Sequence, residues 1–164
     1  MPVIPEPCAS CGARCCDRFA VGVTLSDARR LADAGYSLSE ILSHQPHEGG
    51  KFPLLLVEGR PSLLCLKRKA NERCIFLTRE RACAAYGDRP MTCRAYPFEL
   101  KNGRLAIKEG VVCTGTYALD ADFEKAVFAL LRQQAAELEE FKAFASAWNA
   151  RGGGGFEELL AVLR

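Results

Sequence analysis

Nine cysteines stand in 164 residues, all of them between Cys8 and Cys113. They fall as Cys8-x2-Cys11-x3-Cys15-Cys16, and then Cys65, Cys74, Cys83, Cys93 and Cys113. In a reducing compartment, many thiols at such spacings mean metal ligation more often than cystines. Clustered thiolates favour a soft metal, either zinc or the iron of an iron–sulfur cluster. The first cluster contains Gly12 and is expected to lie in irregular chain, free of helical or sheet constraint. Side chains of adjacent residues diverge, so Cys15 and Cys16 would serve two neighbouring centres, or one of them would be a buried thiol beside the metal. In the later group, Asp88 and Pro90 look like a helix start, which puts Cys93 near the positive end of a short helix. Arg89 and Arg94 flank Cys93. Both would offset the excess negative charge of a thiolate-rich centre and donate hydrogen bonds to it.

These residues need elements to position them. Phe19–Leu25 is β-branched and aromatic enough for a short strand. Ser26 is expected to cap a helix over 27–31 that Gly35 ends, and Ser37 with Glu40 reads as a capping box for a second short helix. Strands are expected at 54–57 and 62–67, joined by a turn at Glu58-Gly59-Arg60-Pro61, and at 104–108 after Lys101-Asn102-Gly103. From Asp120 to Ala150 there is no Gly or Pro. Phe123, Val127, Leu130, Leu131, Leu138, Phe141, Ala145 and Trp148 recur there at helical spacing, with Asp120 or Asp122 as cap. Gly152–Gly155 reads as a flexible joint. Phe156, Leu159, Leu160 and Leu163 then form one face of a closing helix, which docks in cis or meets a partner.

Composition narrows the classes. The chain is 49% hydrophobic and 26% charged, ordinary for a globular domain that can build a core. A net charge of +2 gives no field that would draw nucleic acid. The basic run Lys67-Arg68-Lys69, with Arg73, Arg79 and Arg81, lacks interleaved aromatics and reads as solvated or facing the metal site. His44 and His47 read as solvated loop histidines rather than ligands. Tyr86, Tyr96 and Phe98 read as packing around the site. The segment Met1–Pro7 has neither a basic nor a long apolar stretch, and no apolar run reaches membrane length, so a cytoplasmic setting is expected. No nucleophile elbow, phosphate loop or His-x-x-x-His pair occurs.

The central block Cys83…Tyr86…Arg89-Pro90…Cys93-Arg94…Tyr96-Pro97-Phe98, the run Cys74-Ile75-Phe76-Leu77, the early cysteines and Cys113-Thr114-Gly115 together resemble the YkgJ-type cysteine-cluster family of zinc- or iron-chelating domains. The likeness spans about residues 8–115. Carried over by position, it implies Cys8, Cys11, Cys15, Cys16, Cys74, Cys83, Cys93 and Cys113 as ligands. Cys65 falls outside the pattern and is left as a core thiol. The family usually has Pro where this chain has Thr114. A similar domain occurs in flagellin lysine N-methylase, yet this chain shows no recognisable methyl-donor motif.

The expected architecture is a small α+β domain organised by metal, with irregular cysteine-bearing loops and a few short strands over 1–115. Residues 116–164 would form C-terminal helices packing on it. The expected function is a metal-binding protein holding an iron–sulfur cluster for redox or electron transfer. The alternative is a structural or chelating zinc module that meets a protein partner. All-thiolate ligation suits both metals, and the absence of paired zinc-ribbon knuckles favours iron. An open coordination position leaves no mark in spacing, so catalysis is not read from it. Since the unfolded chain holds no site, chelation is expected to unfold the domain.

Overall fold

The computed structural model describes residues 14–113, 117 and 120–164. Cys8 and Cys11 lie outside them. The architecture is α+β. In chain order it runs α1 (Arg14–Arg18), α2 (Leu25–Asp33), α3 (Leu38–Ile41), β1 (Leu42–Pro46), β2 (Leu55–Val57) and β3 (Arg60–Leu66). After a single 3-10 turn at Tyr86–Asp88 come α4 (Met91–Ala95), β4 (Phe98–Lys101), β5 (Arg104–Ile107), α5 (Ala121–Ala150) and α6 (Phe156–Val162). Among the described residues, no helix is long and apolar enough to cross a membrane.

β3 is the centre of a three-stranded antiparallel sheet in the order β1-β3-β2, with Leu42 opposite Leu66 and Leu55 opposite Ser62. The hairpin expected around Glu58-Gly59 is therefore present. His44 lies within β1, paired with Leu64, and its ring rests 4.8 Å from that of Phe156. That corrects the loop reading: Pro46 ends this strand at an edge, where its missing N–H does no harm. His47 remains exposed. Residues 19–25 do not form a regular strand. They contribute one bridge, Gly22 to Cys65, with Val23 N donating to Leu64 O and Leu66 N to Val21 O. The segment lies along β3 for three residues and then turns into α2.

The cap of α2 is Thr24, not Ser26. Thr24 Oγ1 accepts from Asp27 N and Asp27 Oδ2 accepts from Thr24 N, a reciprocal box with Asp in the place usually taken by Glu. At α3, Ser37 makes no side-chain cap bond, so the expected Ser37–Glu40 box does not form. A helix of four residues that passes directly into β1 has little backbone for such a box to secure. The strand β5 has a partner, β4, which the sequence reading misses although Phe98-Glu99-Leu100-Lys101 alternates apolar and charged residues as a short strand does.

α5 starts at Asp120, whose side chain accepts from Phe123 N. Its apolar face divides between two cores. Phe123, Val127 and Leu131 pack with Ala95 and Phe98, while Phe141, Ala145 and Trp148 join the main core of Val23, Leu31, Leu55, Leu64 and Leu159. Between the two, Leu138 is only half-buried and its neighbour Glu137 is buried instead, bonded to Arg30 of α2. The closing helix α6 docks in cis: Leu159 and Leu163 are fully buried.

Gly152–Gly155 is a tight, ordered turn rather than a flexible joint. Gly153 N donates to Trp148 O, Gly154 N donates to Leu56 O, and Glu58 N donates to Gly154 O. Gly153 has φ +71°, and a Cβ there would stand 2.2 Å from Leu56 O. Gly153→Ala therefore combines left-handed strain with a backbone clash, and is expected to destabilise the protein by about 2–4 kcal/mol in urea unfolding. A loss below 0.5 kcal/mol, on the order of an ordinary surface change, would mean that the turn is not seated on β2.

Candidate metal centre

Four chain segments carry the described candidate cysteines, and local chemistry places each of them. α1 carries Cys15 and Cys16; contrary to expectation, this part of the first cluster is helical. Residues 67–85 fold back twice as narrow loops. Lys69 N donates to Arg73 O and Thr78 N to Ala82 O, with Glu72 and Arg81 taking positive φ at the bends. Isolated bridges Arg68–Cys74 and Leu77–Cys83 align these loops, so Cys74 and Cys83 lie on neighbouring antiparallel runs. Cys74 N also donates to Cys16 O at 2.9 Å, which joins the first segment to the second through the backbone. Cys93 sits in α4, where Pro90 is the N-cap. Cys113 follows β5, near Val112, whose N–H donates to the Tyr96 hydroxyl.

The basic run has a definite task. Asp17 of α1 accepts from Arg81 at 2.6 Å and pairs with Arg73 at 3.2 Å, while Arg68 donates to the carbonyls of Asp17 and Phe19. Lys69 donates to Leu77 O, and Lys67 to Ser39 O. Arg68, Arg73 and Arg81 fasten α1 and the residue after it to the loops that bear Cys74 and Cys83, while Lys69 closes those loops on themselves and Lys67 ties their start to α3. The guanidinium of Arg81 holds the Asp17 carboxyl below its ordinary range.

Cys15, Cys16, Cys74, Cys83, Cys93 and Cys113 all line one cavity of about 650 Å3. Its other walls are largely apolar and aromatic, with Phe19, Phe76, Tyr86 and Tyr96 among them. Five of the thiols feel one another. Cys93 is pushed well up by burial and by the charges that Cys74, Cys15 and Cys83 would carry, and burial leads the upward shifts of Cys74 and Cys83 as well. Cys15 and Cys16 act on each other, which draws Cys15 down to about 7 and pushes Cys16 up. Cys113 instead lies 3.2 Å from the Tyr117 hydroxyl. Cys65 stands apart in β3, fully buried, its thiol pushed up to about 11 by burial.

The two arginines part company. Arg89 lines the cavity, lies 3.6 Å over the Tyr86 ring, and acts on Cys15, Cys83 and Cys93 to favour their thiolates. Arg94 is not among the lining residues; it donates to the carbonyls of Arg89 and Gly87 and braces the turn that presents Arg89. Sequence reasoning missed Asp27, whose carboxylate reaches 64 residues along the chain to the N–H of Met91. The only early sign of it was an acidic residue in a helical first turn, which ordinarily marks a cap.

Among the described residues, no three His, Cys, Asp or Glu side chains converge on a single ion position. The donor set nonetheless fits a thiophilic metal: soft sulfur donors brought from four segments, a cation to balance their charge, and low-dielectric walls. The Tyr86 hydroxyl, buried and without a partner among the described residues, leaves one hydrogen-bond donor in the wall for a bound group.

Compared with known proteins, residues 7–126 match the sequence model of the CxxCxxCC family, described as a "putative zinc- or iron-chelating domain". In this chain three residues rather than two separate the second and third cysteines of that motif. No curated protein and no solved structure matches the chain.

Proposed function

We propose that this chain, which belongs to the CxxCxxCC family of zinc- or iron-chelating domains, holds an iron–sulfur cluster through its thiolates and works in electron transfer. The observation that carries this reading is the meeting of six cysteines from separate segments around one cavity of about 650 Å3. Such a volume suits a polynuclear centre, in which inorganic sulfide occupies space between protein thiolates. The holders would be Cys15, Cys16, Cys74, Cys83, Cys93 and Cys113, together with Cys8 and Cys11. The cluster would supply a one-electron couple. The protein's part is to ligate, to exclude water with Phe76 and Tyr96, and to offset thiolate charge with Arg89. Burial and nearby hydrogen bonds are the levers by which those walls would set a potential.

The test is metal content and absorption spectrum of protein purified without oxygen, from cells overloaded with neither metal. Iron with acid-labile sulfide and a broad visible band is the expected result. Stoichiometric zinc in a colourless protein would overturn the redox reading in favour of a structural or chelating zinc module.

A further inference from the structure

We propose that Asp27 is a positioning residue for Cys93, holding the short helix that presents this thiol to the metal cavity. The proposal rests on the reading of the cavity cysteines as thiolate ligands. α4 has only five residues, too few to hold its own orientation, so what grips its first turn decides where Cys93 points. Two contacts do so, one from the first turn of α2 and one from the segment just before it. Met91 N, the first of the helix, donates to Asp27 Oδ1 at 2.9 Å, and Thr92 Oγ1 donates to Gly22 O at 3.1 Å. Cys93 follows one residue later, its N–H bonded to Pro90 O.

Capping alone does not require this side chain. The box at Thr24 uses Asp27 Oδ2, and a longer Glu or Gln would serve it equally. Oδ1 is spent on Met91 and Arg30, and Arg30 in turn reaches Glu137 of α5 through both nitrogens, at 2.6 and 2.8 Å. Asp27 is 1% exposed. A carboxylate buried to this degree must be held by its partners, and here the partners are two backbone N–H groups and one guanidinium. The chain Glu137–Arg30–Asp27–Met91 thus runs from the long C-terminal helix to the segment bearing Cys93.

The experiment compares the full chain with Asp27→Ala and Asp27→Asn, loaded with zinc or cobalt(II), at a temperature where all are folded. The readouts are zinc affinity by chelator competition and the thiolate-to-cobalt absorption bands. Asp27→Ala is expected to weaken zinc by at least about tenfold and to lower the cobalt band intensity, the size of effect seen when support behind a ligand is lost. Asp27→Asn keeps an oxygen for Met91 N and is expected to recover most of both. Trp148→Ala, remote from the cavity, controls for stability: it should lower Tm and leave both metal readouts alone. If Asp27→Ala does not fold, Asp27→Ser, one bond too short to reach Met91, takes its place. Wild-type affinity and bands in Asp27→Ala or Asp27→Ser would overturn the proposal, as would an Asp27→Asn variant equally impaired. A wild-type chain that gives no thiolate-to-cobalt bands would sink the chelation reading itself, and this proposal with it.

Discussion

Stripping metal from the protein is expected to release the cysteine-bearing segments while the helices α2, α5 and α6 and the sheet stay folded. The division follows from where burial lies. Leu31, Leu55, Leu64, Phe141, Leu159 and Leu163 are sealed in a core that needs no metal to close. Residues 67–85 have narrow turns, ion pairs with Asp17 and few apolar anchors beyond Cys74, Phe76, Leu77 and Ala85. Without metal, the buried thiols must stay protonated or leave, and their segments lose the one bond that joins them all. Structural metal sites contribute on the order of 10 kcal/mol in small domains, and even half of that corresponds to a Tm lower by about 10–20 °C at this chain length. Hydrogen exchange after chelation should show fast amides at Cys74, Ile75, Leu77, Cys93 and Arg94, with those of Leu64, Leu66 and the C-terminal half of α5 still protected. Simultaneous loss everywhere would mean that the metal holds the whole fold, as the sequence taken alone suggests. Unchanged exchange in the cysteine segments would mean that it holds none of it.

Trp148→Ala should be among the most damaging single changes outside the cysteines, at about 3–5 kcal/mol. Trp148 is 4% exposed, and its indole N–H donates to Leu56 O at 2.8 Å. Its ring stacks on Phe144, lies under Arg151 and fills the space above Gly154. Asn149, next in the chain, bonds Leu56 N and Leu54 O, so one turn of α5 completes the edge of β2. Removing the indole opens a cavity at that junction and costs a hydrogen bond. Trp148→Phe retains most of the apolar area and should lose only about 1–2 kcal/mol. Urea unfolding of both variants measures this directly. A cost under 1 kcal/mol for the alanine variant would show that the C-terminal end of α5 is not docked on the sheet.

Much of this protein is legible in its sequence wherever the determining interaction is local. The period of Phe123, Val127, Phe141 and Trp148 announces α5, and its start is narrowed to two caps, Asp120 and Asp122, of which Asp120 is the one used. The Glu58-Gly59 turn announces the hairpin, since only a residue tolerant of positive φ sits comfortably at its tip. The cysteine spacings announce metal chemistry and a family, because thiols in such number and at such spacings are donors a soft metal favours.

What only the tertiary structure decided is largely long-range. Ser26 and Thr24 are equally good caps on local chemistry, and the choice of Thr24 came from the carboxylate of Asp27. Gly152–Gly155 has the composition of a linker, yet the close approach of Leu56 makes those glycines a fitted turn. His44 reads as loop until β3 supplies its partner. Arg89 and Arg94 are equivalent neighbours of Cys93 in the chain, but α4 turns them toward different surroundings, one onto Tyr86 at the cavity and one onto the backbone behind it. Glu137 interrupts an apolar face for a reason that appears only once Arg30 lies opposite. The Thr24–Asp27 box and the Arg89 and Arg94 contacts span only three to seven residues, and there it is the local backbone that decides. For Gly152–Gly155, His44 and Glu137 the partner stands tens of residues away, where spacing carries no information. The meeting of Cys15, Cys16, Cys74, Cys83, Cys93 and Cys113 is the same kind of fact: residue type named the chemistry, and packing decided which thiols share one space.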